Sequence, residues 1–397
     1  MPRRRGAKRG HPAVTRPLSA QPDQIIEATV ERCANCHTDL RGRTPQQIVR
    51  HQLTELPVVR PLVLETRTHE VECPPCHTLQ RGALPAGLAP LRQFGPRLEA
   101  TVGYYKQEQH LSYERIIETL RDWWGVALSE GGLNCSLRRA GAAAQPQAAQ
   151  IATQVAQSAV ISSAETSARV KAQNSWHWVF RSEVGVVHRI EPTRSAAVIE
   201  QFMGEQCAEC WVSACYSAQL QAPTTRRQLC IPQQTRALQR LLEQAAQLAW
   251  PRAVQSLLQE AIHLWHRFSK EDALTSNGYL RRVSEIENKL DALLAQDLRG
   301  TVAQTLHARF VKQRDSLLTF LHYAGVPPDN NACERALRPS VLHRKVTNGF
   351  RSEWAAKAYA ALETVSETGK LQGRRTFQIL VELMGKPVLH FLDTSNL

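Results

Sequence analysis

The chain has 397 residues, 43% of them hydrophobic, and a formal net charge of +13. That is length for two or three domains with cores of their own, while no run nears the ~20 apolar residues of a membrane span. The charge suits a polyanionic partner, because each Lys or Arg set on a phosphate releases condensed counterions; a merely soluble basic surface is the competing explanation.

Residues 1–28 read as a basic tail. Arg3, Arg4, Arg5, Lys8 and Arg9 lie among Gly and Pro with no acid nearby, a composition that buries no core and tracks phosphates or a minor groove. No apolar stretch follows, so no secretory leader is read, and the chain is expected in a bacterial cytoplasm, at the nucleoid. Residues 29–95 contain Cys33-Ala-Asn-Cys36-His37 and Cys73-Pro-Pro-Cys76-His77, with 36 residues between the pairs and β-like alternation near Pro57–Val71. Such pairs can bring four thiolates, those of Cys33, Cys36, Cys73 and Cys76, to one tetrahedral zinc ion, and a closed set of four sulfurs makes that zinc structural. His37 and His77 are alternative ligands. A third pair, Cys207 and Cys210, has no second pair near it and reads as incidental.

Residues 96–148 are expected to form a helix-turn-helix. Tyr113, Ile116, Ile117 and Leu120 make one helical face, Gly125 marks a turn, and Ser129 is a fitting N-cap for a second helix running to Arg139. In that arrangement the second helix reads DNA, which nominates Arg138 and Arg139; a plain helical hairpin is the alternative. Residues 141–158, rich in Ala and Gln, read as a helical linker. Strands are predicted over residues 159–163, 176–181, 184–190, 210–213 and 228–231, with a helix over 196–203, which makes a mixed α/β sheet. Residues from 233 to about 322 are helical, a helix with Glu334 follows Pro327-Pro328-Asp329, and 353–386 is amphipathic helix.

The block Asp329-Asn330-Asn331-Ala-Cys-Glu334-Arg335-Ala-Leu-Arg338-Pro339, followed by His343-Arg344-Lys345 and Asn348-Gly349-Phe350-Arg351, resembles the C-terminal block of insertion sequence 66 family transposases. The resemblance runs from about Gly10 to about Gly385. It implies an RNase H-like core over residues 155–346 with a helical insertion of about 233–325, preceded by the zinc-ribbon-like module and the helix-turn-helix and followed by a helical region over 347–397. It also implies a D-D-E triad, two Mg ions and double-stranded DNA of transposon ends as partner; a homo-oligomer is a further expectation, and a membrane is not.

In the matching segments Ala164 and Ala214 stand where such transposases carry Asp, and only Glu334 keeps its acid. Gln233 stands in place of a His, with Pro232 intruding beside it. Two-metal phosphoryl chemistry needs several anionic oxygens, and methyl groups supply none. Glu165 should point to the opposite strand face from Ala164, Glu209 likewise misses the place of Ala214, and Glu334, three residues after Asn331, also fits a capping box. Arg335, Arg338, Arg344 and Lys345 are expected on phosphate, or else on a solvated face. The chain is therefore expected to bind transposon-end DNA without cutting it. An active transposase with deliberately introduced alanines is the alternative, against which Gln233 argues, and a non-catalytic assembly scaffold is a third reading.

Overall fold

The computed structural model describes residues 16–84, 92–269 and 274–385, in two units that part between Arg60 and Pro61. The parting falls inside the stretch read from sequence as one zinc module. Arg3, Arg4, Arg5, Lys8 and Arg9 lie outside the described residues.

In the first unit the chain turns sharply at Cys33–Thr38. The Cys33 amide donates to the Thr38 carbonyl (3.0 Å), the His37 amide donates to Cys33 (3.0 Å), and His37 takes a left-handed φ of 57°. The second unit repeats that turn. Cys73 donates to Thr78 (2.9 Å), His77 to Cys73 (2.8 Å), and His77 has φ 55°. A short antiparallel ribbon, β1 (Glu70–Glu72) and β2 (Leu79–Arg81), frames this second turn. The strand expected near Pro57–Val71 does not form beyond these first residues of β1. Its apolar side chains, such as Val58 and Val63, are almost fully exposed, and alternation makes a strand only where one face finds a core and an edge finds a partner.

Helices α1 (Pro96–Gln107), α2 (Tyr113–Trp124) and α3 (Glu130–Ala156) follow. The Ser112 side chain caps α2 by accepting from the Arg115 amide, Gly125 ends it at φ 65°, and Ser129 caps α3 by accepting from Gly132 (3.1 Å), the local chemistry that starts and stops helices. Helix α3 does not stop at Arg139. It runs through the Ala- and Gln-rich stretch to Ala156, with Pro146 inside it.

A five-stranded mixed sheet follows, in the order β5-β4-β3-β6-β7. Strands β3 (Val160–Val170), β4 (Gln173–Arg181) and β5 (Val186–Glu191) form an antiparallel meander, while β6 (Ala208–Ser213) and β7 (Thr224–Leu229) run parallel to β3. Helix α4 (Ala197–Met203) makes the crossover to β6. One sheet face packs Ile161, Trp178, Phe180 and Trp211 against α4 and the end of α3. The other packs Cys210, Val212 and Leu229 against α5 (Ile231–Gln244), α6 (Ala249–Phe268) and α7 (Asn277–Leu294). Pro232, read from sequence as an intrusion, sits in the first turn of α5, where its missing N–H costs nothing.

After α8 (Gln304–Lys312) the chain returns to the sheet through α9 (Asn331–Ala336), α10 (Arg338–Thr347), α11 (Glu353–Leu371) and α12 (Thr376–Leu383). Helix α11 lies against α3 and β5. Gly141 of α3 permits that approach, since a Cβ there would fall 2.3 Å from the Cβ of Ala358. Thr364 and Thr368 of α11 accept hydrogen bonds from the amides of His188 (2.9 Å) and Val186 (3.0 Å) on β5. Across the sheet, the Thr319 hydroxyl donates to the Arg227 carbonyl of β7 (2.6 Å). Among the described residues no helix is long and apolar enough to cross a membrane.

Candidate active site

A cavity of about 700 Å³ opens beside the middle of β3, beyond the end of β6, against α9 and α10; Ala164, Ala214, Gln233 and Glu334 all line it. Four sequence positions separated by up to 170 residues are thus brought together. Ala164 sits mid-strand in β3, facing Cys333, Ala336 and Leu337. Ala214 is the residue after β6, and Gln233 lies in the first turn of α5. Glu334 projects from α9, which is docked onto the sheet by Asn330 and Cys333: the Asn330 side-chain amide donates to the Ser163 carbonyl (3.2 Å) and the Cys333 thiol to that of Val179 (3.4 Å).

The capping box expected at Asn331 and Glu334 does not form. Asn330 precedes the helix, and it is the Asp329 carboxylate that accepts from the Asn331 amide (2.9 Å). The Glu334 carboxylate is left to face the cavity. There it accepts a hydrogen bond from the Gln233 side-chain amide and lies 4.0 Å from Arg236.

Glu165 keeps to the strand alternation, on the Trp178 face and opposite to Ala164, and yet it lines the same cavity. Strand β6 pairs with β3 only as far as Ser162, so beyond it the edge of β3 is open and both faces reach the one space. Glu165 is held by two protein donors. Its side chain is 4% exposed, one carboxylate oxygen accepts from the Arg194 Nε (3.0 Å), and the other accepts from Gln219. Arg194 itself is stacked between Tyr216 and Trp176, 3.7 and 4.6 Å from the ring centroids, cation–π contacts that fix the guanidinium's plane. Sequence reasoning missed this Arg194 clamp. The one signal for it is a strand Glu beside Ala164. Glu209 is exposed and does not line the cavity.

Of the expected basic residues, Arg338 and Lys345 line the cavity from α10 and are exposed. Arg344 turns onto β3, where its guanidinium donates to the carbonyl and hydroxyl of Ser167, and Arg335 is exposed on α9. On α3 the two arginines part. Arg138 lies over the ring of Trp354 at 4.3 Å. Arg139 points inward to Glu99, which is fully buried and bound by Arg139 Nε (2.8 Å) and by Arg92 (2.7 Å). A buried carboxylate strands several kcal/mol if unpaired, so Arg139 is held to Glu99 and not presented on the outer face expected of it.

At the cysteine turns, Cys36 and Cys76 each hydrogen-bond their own Thr, Thr38 at 3.2 Å and Thr78 at 2.9 Å, and those bonds pull each thiol down to about 7. Among the described residues no group of three or more His, Cys, Asp or Glu is placed to hold a metal ion. Cys207 is exposed while Cys210 is buried in β6, with its thiol pushed up to about 11 by burial.

A family model described as the transposase IS66 family matches residues 92–358. Among curated proteins none matches the chain.

Proposed function

We propose, for a chain that belongs to the transposase IS66 family, a protein that binds transposon-end DNA in an RNase H-like core and does not cut it. One observation carries this reading. The three places that the family resemblance assigns to the triad, Ala164 on the first strand of the sheet, Ala214 just beyond the fourth and Glu334 on a later helix, line one cavity, and two of the three bear methyl groups.

The residues do not fit a pair of divalent cations. A hard cation takes several oxygen ligands at about 2.0–2.6 Å, while the acids lining the cavity are Glu165 and Glu334. The first is tied to Arg194 and Gln219, and the second to Gln233. The loss of the His place to Gln233 is consistent with this, because Gln233 now serves as a donor to the remaining acid. Cap placement at Ser112, Gly125 and Ser129 supports the helix-turn-helix reading for α2 and α3, with Arg138 rather than Arg139 on its outer face. The matching turns at the two cysteine pairs support structural zinc on Cys33, Cys36, Cys73 and Cys76.

The test is a plasmid carrying the element's ends, incubated with Mg²⁺. The native chain should retard the end fragments in a gel and leave them uncut; Mg²⁺-dependent nicking by the native chain would overturn the proposal. Restoring Ala164→Asp and Ala214→Asp then asks what the alanines alone removed. Cutting by that variant would assign the loss to the two methyls, and failure to cut would assign part of it to Gln233.

A further inference from the structure

We infer that the cavity now receives a DNA phosphate directly, on Arg338 and Lys345, with no divalent ion between. This rests on the DNA-binding reading above and deepens it. Three cations, Arg194, Arg338 and Lys345, line the cavity against two acids, Glu165 and Glu334. Arg194 is spent on Glu165, and Glu334 has Gln233 as a donor and Arg236 at 4.0 Å. Arg338 and Lys345 have no ion-pair partner among the described residues. They lie seven residues apart on α10, two helical turns and therefore on one face, and both open to the cavity. The balance is positive with no metal present.

Carboxylates at positions 164 and 214 would reverse that sign. Such a site repels a phosphate until cations neutralise it, whereas with methyl groups there the remaining acids, Glu165 and Glu334, already have Arg194 and Gln233 as donors. Arg is suited to clasp a phosphate through two parallel N–H donors, and Lys acts beside it as a point charge. Metal independence is thus the positive consequence of the missing acids: the substitution that stops cleavage also favours an anion in the same space.

The experiment measures anisotropy of a fluorescent random-sequence duplex with the full chain, in Mg²⁺-free buffer without chelator and in Mg²⁺ at matched ionic strength, across a salt series. The native chain should need no Mg²⁺ to bind. Arg338→Gln with Lys345→Gln, both exposed and safe for folding, should flatten the log–log salt slope by about two, one for each phosphate charge no longer neutralised. Ala164→Asp with Ala214→Asp should weaken binding in the Mg²⁺-free buffer by about tenfold or more, with Mg²⁺ recovering part of it, as two carboxylates close to a phosphate dictate. Should that pair fail to melt cooperatively, Ala214→Asp alone carries the comparison. If the native chain binds with a normal salt slope while all these variants match it, the DNA reading stands and the phosphate is elsewhere. A native chain whose binding ignores salt removes both.

Discussion

Removing the Arg194 guanidinium should be among the costliest single changes near the cavity. Arg194→Ala leaves the Glu165 carboxylate, 4% exposed, with Gln219 as its remaining donor. Breaking a buried pair by deleting one partner costs about 3–5 kcal/mol. Arg194 is itself a third exposed, so water can partly replace it and the lower end, about 3 kcal/mol, is the figure to expect. The stacking removed from Tyr216 and Trp176 is included in that figure. Against a typical domain stability of about 5–15 kcal/mol, the variant should unfold at visibly lower urea. Glu165→Gln should cost about 1 kcal/mol, since Arg194 keeps its two rings and loses only charge assistance. The double variant Arg194→Ala/Glu165→Gln should then be more stable than Arg194→Ala alone, because no charge is left stranded. Urea melts of the four proteins close the cycle, and a coupling within error of zero would refute the account of Arg194 as the counter-ion of Glu165. A DNA-binding readout accompanies it: in Arg194→Ala the uncovered carboxylate should weaken binding, and Glu165→Gln should restore it.

Glu363 of α11 is buried, and that burial pushes its carboxyl up from 4.5 to about 8. The unfolded chain ionises it above 4.5 and the folded chain only near 8, so its contribution is full below 4.5 and is lost as pH rises to 8, with about 3 kcal/mol gone by pH 7. Glu363→Gln should be more stable than the native chain at pH 8 and equal to it at pH 4; a difference that does not move with pH would count against this. Burial holds His177 and His343 near 3 and so works the other way below neutrality, which is why the difference between the two proteins, and not either melt alone, is the measurement. Gly349 has φ 117°, and a Cβ there would lie 2.6 Å from the Arg169 carbonyl; Gly349→Ala should lower stability by about 1–3 kcal/mol in the same melts, and an unchanged midpoint would show that the segment relaxes freely. Purified chain should carry an equivalent of zinc by mass spectrometry, and chelation should speed proteolysis within residues 29–80; a zinc-free, equally resistant protein would remove the assignment to Cys33, Cys36, Cys73 and Cys76.

Where a residue's role is set by its near neighbours, it was readable in advance. Ser129 caps the helix it should cap, Gly125 ends the one before, and each strand predicted between residues 159 and 231 overlaps a real one. Reading failed where a distant partner decides. Arg139 looks like an outward cation until Glu99, forty positions earlier, draws it in. Glu165 obeys alternation, yet the short pairing of β6 opens the edge of β3 and lets both faces meet one cavity. The alternating residues near Pro57–Val71 have strand periodicity and no partner. At Asn331 the capping pattern was present, but Asp329, two residues earlier, took the backbone donor. Local signals name the elements; the cavity's electrostatics depend on pairings that no window of sequence contains.

The threonines at the two margins of the sheet have a consequence for self-assembly. An outer strand ordinarily offers a row of unpaired amides and carbonyls on which another chain can add a strand. Here α11 occupies amides of β5 with the hydroxyls of Thr364 and Thr368, and Thr319 occupies the Arg227 carbonyl on β7. Those particular backbone groups of β5 and β7 are met by side chains in the role of backbone. A further strand added at either margin of the five-stranded sheet would have to displace these hydroxyls first.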